Sequence, residues 1–339
     1  MPPMKIQTPH TIRRALGPSL VLAALALTLL LSSCAYSATS DPLLAAQVNG
    51  SPISMTEYQA ILPVYIASYE ISAQGNATSA ASVPLVDWRI PSQRPTYTQI
   101  QQTVLTFLIN LSLQQQLLSE QHITVPASAI RDAEAQINSV RVSNQQQFNQ
   151  DPTNTALQAL VASLTPTAIH ILAEQQAGAM TFGAHGKIPQ AHIYELTVKT
   201  RQQAEQLQTQ AEHGANFTDL ARKYSTDSSA ATTGGDLGIL YVGQLPYEIQ
   251  QAQQQQPGIS DGGFGATFDR AVFAPTQAPA YVILTDPNNG GYSLLHIVAR
   301  TQAPLADVKD ATKENGYLSN WIAGNLYTAA TIHRYLANG

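Results

Sequence analysis

The residue with the most definite chemistry is Cys34, the single cysteine of the chain. It follows Leu31-Ser32-Ser33, a branched apolar side chain and two small ones. Small residues there let a peptidase accept an extended backbone, and a thiol at that place can receive a diacylglycerol. A lone cysteine forbids an intrachain disulfide, and acylation removes a free thiol that would be a liability in an oxidising compartment. The preceding segment suits export. Lys5, Arg13 and Arg14 form a positive start, and Leu20 to Leu31 form an apolar run too short to anchor a bilayer-spanning helix. Ala35 rather than Asp follows the cysteine. In an envelope with two membranes that points to an outer-membrane lipoprotein facing the periplasm.

Other titratable groups form no self-sufficient reactive set. His122, His170 and His185 have no partners at ligand spacing, and no metal cluster, phosphate loop or nucleophile–base pair stands out. No metal or cofactor is expected. The formal net charge is -5, and the chain after residue 33 is more acidic still, because it lacks Lys5, Arg13 and Arg14. An acidic body argues against nucleic-acid binding, which needs a basic face. Hydrophobic residues make up 44% of the chain and charged ones only 12%, which is enough apolar material for real cores.

The elements that must position any site divide the chain. Residues 1–33 read as a signal segment and residues 34–44 as a tether. Ala46 to Ile53 reads as a strand, an Asn49-Gly50 turn and a return. Ser54-Met55-Thr56-Glu57 is a capping box that opens a helix through about Tyr69. A Ser/Ala/Pro-rich loop with Trp88 precedes helices over about 98–121, 127–149 and 154–163. Thr165-Pro166 then reads as an N-cap with Pro at the first helical position, opening a helix to about Phe182.

From residue 188 the pattern changes. Ala191 to Leu196 alternates like a strand. Helices follow over 200–213 and from Phe217 to about Tyr224. A hairpin spans 281–300, with Asp286-Pro287-Asn288-Asn289-Gly290-Gly291 as its turn. Leu305 to Leu336 reads as one or two helices with Leu318, Trp321, Ile322, Leu326 and Tyr327 on an apolar face, which needs a partner to bury it.

Four blocks carry a resemblance. They are Ala191-His192-Ile193; Gly214-Ala215-Asn216-Phe217 with Ala221-Arg222-Lys223-Tyr224-Ser225; Gly234-Gly235-Asp236-Leu237-Gly238 with Gly243-Gln244-Leu245; and the strand opened by Gly291-Tyr292. Together they resemble the parvulin family of peptidyl-prolyl isomerases. The Val48-Asn49-Gly50 turn, the helix capped at Ser54 and the stop at Ile123-Thr124-Val125 resemble the N-terminal helical domain of the SurA and PrsA foldases. The resemblance implies an α+β chain. Residues 45–187 would be a mainly helical chaperone domain. Residues 188–300 would be a parvulin domain with a four-stranded antiparallel sheet wrapped by helices, and 301–339 a C-terminal helix returning to the N-terminal domain.

The same resemblance assigns roles. Leu237, Leu245 and Phe268 would wall a proline pocket. His192 and Asp227 would set its polar surroundings, with Ser225 and Thr285 joining that network. The family's second histidine falls on Ser293, and His296, three residues on, points the other way along a regular strand. A Gln- and Gly-rich stretch of about twenty residues separates Leu245 from Phe268. The implied partners are unfolded exported polypeptides containing X–Pro bonds, and a membrane reached through the lipid. The implied function is prolyl isomerisation with chaperone action in the cell envelope. The alternative is a catalytically inactive parvulin-fold chaperone or assembly factor of an export system, such as one for exopolysaccharide.

Overall fold

The computed structural model describes residues 43–75, 86, 89–256, 262–274, 277–286 and 290–336. The signal segment, Cys34, most of the tether and Trp88 lie outside them. Strands β1 (Leu44–Val48) and β2 (Ser51–Ser54) pair antiparallel around Asn49-Gly50. Both turn residues have positive φ, 50° and 87°, as a tight hairpin turn demands. The capping box forms. The Ser54 amide donates to Glu57 Oε2 at 2.7 Å, and the Glu57 amide donates to Ser54 Oγ at 3.1 Å. This opens α1 (Met55–Gly75), which runs about a turn and a half past the expected end.

Helices α2 (Arg94–Glu120), α3 (Ala127–Gln150), α4 (Thr155–Ser163) and α5 (Pro166–His185) complete the helical body. Thr165 caps α5, its Oγ1 accepting from the Ala168 amide at 3.2 Å. Ile61, Val64, Val104, Leu108, Ile109, Leu113, Ile169 and Phe182 are buried in one core. No single described helix is long and apolar enough to cross a membrane.

The second part is a four-stranded antiparallel sheet in the order β4-β3-β6-β5, with β3 Lys187–Val198, β4 Asp236–Tyr241, β5 Ala280–Asp286 and β6 Gly291–Pro304. Helices α6 (Arg201–Glu212) and α7 (Phe217–Tyr224) cover one face, burying Leu196, Val198 and Leu294 with Leu207, Phe217 and Leu220. A four-residue helix α8 (Ala230–Thr233) leads into β4. Helices α9 (Gln244–Gln255) and α10 (Phe264–Val272) serve the opposite face. There Ala191, Ile193, Leu295 and Ile297 pack with Phe268, Val272 and Leu284.

The Gln-rich part of the stretch between Leu245 and Phe268 is helical over Gln244–Gln255. It docks on the C-terminal helix α11 (Ala311–Trp321). Tyr247 lies over Gly316, where an added Cβ would sit 2.2 Å from its ring, and its ring centroid is 5.6 Å from that of Tyr317.

The C-terminal stretch is more varied than one or two helices. A 3-10 turn (Leu305–Val308) precedes α11, a π-helical turn (Ile322–Leu326) follows it, and strand β7 (Ile332–Arg334) comes last among the described elements. β7 pairs antiparallel with β1, so β1 is flanked by β2 and β7. Leu318, Trp321 and Ile322 are buried in the core of the helical body, and the Trp321 ring is 6.2 Å from that of Phe182. The two parts also share a seam. Ile188, Val242 and Leu305 belong to the helical body's core. The Gln121 side chain brackets Lys187, donating to its carbonyl and accepting from its amide, each at 2.8 Å.

Candidate functional site

Side chains alternate across a strand, so the packing partners sort the sheet residues by face. On β3, Ala191 and Ile193 face α10, and Tyr194, Leu196 and Val198 face α6 and α7. On β6, Leu295 and Ile297 face α10 and Leu294 faces α6 and α7. Ser293 therefore lies on the α10 face. Its direct partners are Thr197 on β3 and Leu284 on β5. Glu195 and Thr197 share that face by the same alternation.

His192 does not. It stands on the α6–α7 face, its ring 5.1 Å from that of Tyr194 and its Nε2 2.9 Å from Asp236 Oδ1. His192 lies five positions before Thr197, the partner of Ser293, and an odd offset along a strand means opposite faces. The pairing of His192 with the Ser293 position is corrected on this ground. His192 instead holds Asp236 in place. Partial burial pushes the Asp236 carboxyl up, but the Gly238 amide, His192 and Tyr194 outweigh it and keep it below the usual carboxylate range.

His296 also lies on the α6–α7 face, stacked on Tyr281 at 4.5 Å and 5.2 Å from the Phe217 ring. Burial holds its pKa below the ordinary histidine value, so it is neutral near pH 7. Thr285 pairs with Tyr292 and is exposed on that same side of the sheet, away from Ser293. It does not join the network expected of it.

Ser225 and Asp227 do come to the free edge of β3, beside Thr197. Beyond Tyr194 the free edge of β3 is taken up by the segment that follows α7. The Glu195 amide donates to the Gly235 carbonyl at 2.8 Å, the Thr226 amide to the Thr197 carbonyl at 2.7 Å, and the Thr197 amide to Ser225 Oγ at 3.1 Å. Thr197 is thus flanked by Ser293 on one side and by Ser225-Thr226-Asp227 on the other. Asp227 is exposed, and both its oxygens are engaged in its own turn. Oδ1 accepts from the Ser229 amide at 2.9 Å and Oδ2 from the Ser229 hydroxyl at 2.7 Å. Ser293 Oγ is buried with no hydrogen-bond partner among the described residues.

The apolar walls separate into two behaviours. Phe268 is core, 2% exposed, and Leu245 packs partly buried against the same cluster. Leu237 is 40% exposed, at the β-bulge where β3 and β4 lose register between Ile193 and Tyr194. It lies outside that cluster.

Asp269 is a residue that sequence reasoning passed over. It is buried, and its Oδ2 accepts from the Gly243 amide at 2.6 Å. The signal was present. Gly265, Phe268, Asp269 and Val272 follow the 3, 4, 7 spacing of one helix face, and all four are buried. Burial pushes this carboxyl from 3.8 up to about 7, opposed by the Gly243 hydrogen bond. Arg270 is on its own helix. Glu248, Tyr281 and Arg300 are on elements around it, and none of them contributes to the shift.

A folded-state pKa above the unfolded one gives stability that is full below about pH 4 and lost as pH rises through about 7. Wild type should therefore lose about 2–3 kcal/mol between pH 5 and pH 8, at about 1.4 kcal/mol per pKa unit. Asp269→Asn should flatten that slope in guanidinium unfolding measured at both pH values. An unchanged slope would mean that Asp269 is ionised throughout.

Residues 168–261 match the PPIC-type PPIASE domain. The match runs from the first turn of the helical-body helix α5 through α9 and includes His192, Asp227, Leu237 and Leu245. It stops before Phe268 and Ser293. The chain is 33% identical over 97 residues to a Chaperone SurA of Ralstonia nicotianae, covering 26% of this chain and 19% of that protein. It is 26% identical over 142 residues to Foldase protein PrsA 1 of Listeria monocytogenes, covering 42% of each. The chain thus spans less than half the length of either relative. Among solved structures, NmPin, the parvuline of Nitrosopumilus maritimus, is 17% identical, covering 32% of this chain and 96% of that one, with a TM-score of 0.23.

Proposed function

We propose that this chain, which carries a PPIC-type peptidyl-prolyl isomerase domain, turns X–Pro bonds in exported polypeptides and holds those polypeptides while they fold. It would do so at the cell envelope, tethered through acyl chains on Cys34. The observation that supports the reading best is a convergence. The matched segment carries Leu245, which packs in the same cluster as Phe268, on the sheet face where Ser293 stands. The names of the curated relatives, a chaperone and a foldase, support the holding role. The charged start and apolar run before Leu31-Ser32-Ser33-Cys34 support export and lipidation.

The chemistry asked of such a face is modest. An X–Pro bond rotates over a barrier of roughly 18–20 kcal/mol, and unaided it takes about tens to hundreds of seconds. No bond is made or broken. A catalyst must strip water from the amide and stabilise its twisted form better than its planar one. Leu245 and Phe268 supply apolar walls for the ring. Thr197 and Ser293 are buried on this face, and the exposed Asp227 at the strand edge carries the oxygens open to a substrate amide. With His192 on the other face and Ser at 293, no imidazole stands on the described part of this face. The reaction needs no proton transfer, so that does not disable it. Ser293 is 1% exposed, so a larger ring at 293 would have to displace its neighbours.

Leu245 is the side chain whose truncation separates binding from folding, since it is only partly buried. Leu245→Ala should lower kcat/KM for a Xaa-Pro peptide about tenfold, the worth of a lost apolar contact, with little change in unfolding midpoint. An aggregation-suppression assay run beside it should show wild-type holding of an unfolded client. Wild-type kcat/KM in this variant would remove Leu245 from the site. Aggregation suppression by a wild-type protein without isomerase activity would leave a peptide-binding module in place of an enzyme.

A further inference from the structure

We propose that Asp269 is a positioning residue of the isomerisation site, pinning the turn that presents Leu245 against the helix that carries Phe268. The inference rests on the isomerase reading above. Asp269 is 1% exposed and directly follows Phe268 on α10. Its Oδ2 takes the Gly243 amide at 2.6 Å, and Gly243 lies two residues before Leu245.

The turn has no slack. Gly243 has φ +78°, and an added Cβ would sit 2.1 Å from the Tyr317 carbonyl oxygen on α11. Gln244 closes the turn from within, its Oε1 accepting from the Tyr241 amide at 3.1 Å. Beyond Leu245, Pro246 and Ile249 lie against Gly265 of α10, at 3.1 and 3.0 Å from where its Cβ would be. At the far end of α10, Arg300 of β6 donates from Nε to the Val272 carbonyl. The Leu245 turn is therefore wedged between the Asp269 carboxyl and the C-terminal helix, and α10 is itself tied to the sheet.

The placement is costly. Asp269 Oδ1 is buried with no hydrogen-bond partner among the described residues, and a buried carboxyl with one partner destabilises a fold that an apolar side chain would suit. What the carboxyl offers in return is geometric, a short bond from the Phe268 helix to the backbone of the Leu245 turn. Stability and activity should consequently move in opposite directions when it is removed, which a purely structural residue would not show.

The test uses the full chain with Asp269→Leu, which keeps the branched outline and loses the acceptor, and Asp269→Asn, which keeps both the size and an acceptor. Asp269→Leu should unfold at the same or a higher denaturant concentration, yet lose about tenfold in kcat/KM, mostly through KM, because the pocket walls act on planar and twisted amides alike. Asp269→Asn should restore KM to within about twofold of wild type. Amide exchange at Gly243, followed by NMR, should be slow in wild type and in Asp269→Asn and fast in Asp269→Leu. Wild-type KM in the Leu variant, or equal losses of stability and activity in both variants, would overturn the proposal. If wild type itself fails to isomerise, the isomerase reading falls and Gly243 exchange alone decides the pin. Protection lost only in the Leu variant upholds it, and protection unchanged in that variant overturns it.

Discussion

Phe268→Ala is expected to destabilise the sheet part by about 3–5 kcal/mol, the usual cost of emptying a buried aromatic site. Phe268 is 2% exposed and packs with Val272, Ile193, Leu284, Leu295 and Ile297, and its ring centroid is 6.1 Å from that of Phe264. A side chain assigned only to a pocket wall would be removable with little unfolding. Phe268 is core, and on the proposed reading also a wall, so activity and stability should fall together, in contrast to Leu245→Ala. Guanidinium unfolding followed through the sheet part measures this directly. A loss of activity at unchanged midpoint would show that the core closes over the vacancy.

Trp321→Ala is expected to act on the other part. The indole is buried beside Phe182, Leu318 and Ile322, so its loss should cost about 3–5 kcal/mol and lower the thermal midpoint on the order of 10 °C. Hydrogen exchange should quicken first in α1, α2 and α5, which share that core, while amides of the Leu196–Leu294 core keep their protection. Equal loosening of both cores would show that the seam at Ile188, Val242 and Leu305 makes them one cooperative unit.

Much of the architecture is legible because its signals are local. The Ser54–Glu57 box, Thr165-Pro166 and the Asn49-Gly50 turn each act within a few residues, and each forms. What escapes is non-local. Ile332–Arg334 has no turn residue before it to break a helix. It becomes a strand because β1 offers a free edge, and a pairing across nearly the whole chain leaves no local mark. The faces of β3 obey a period that the sequence shows plainly, yet which face meets Ser293 depends on a register only the folded sheet supplies. The resemblance, which carries no register, therefore assigns His192 to the site and passes over Thr197. The face of Leu237 is not legible for a related reason, since a bulge at its position breaks the alternation. Asp269 shows the converse: the helical spacing put it among core residues, but an acidic side chain reads as surface unless its position is counted.

The most direct test of the account is the rate of cis–trans exchange of a Xaa-Pro peptide, measured by NMR exchange spectroscopy with residues 35–339 at catalytic concentration. The account predicts acceleration well above the uncatalysed rate, proportional to protein concentration and reduced about tenfold by Leu245→Ala. Exchange at the uncatalysed rate, in a sample whose cooperative unfolding shows that it is folded, would contradict it.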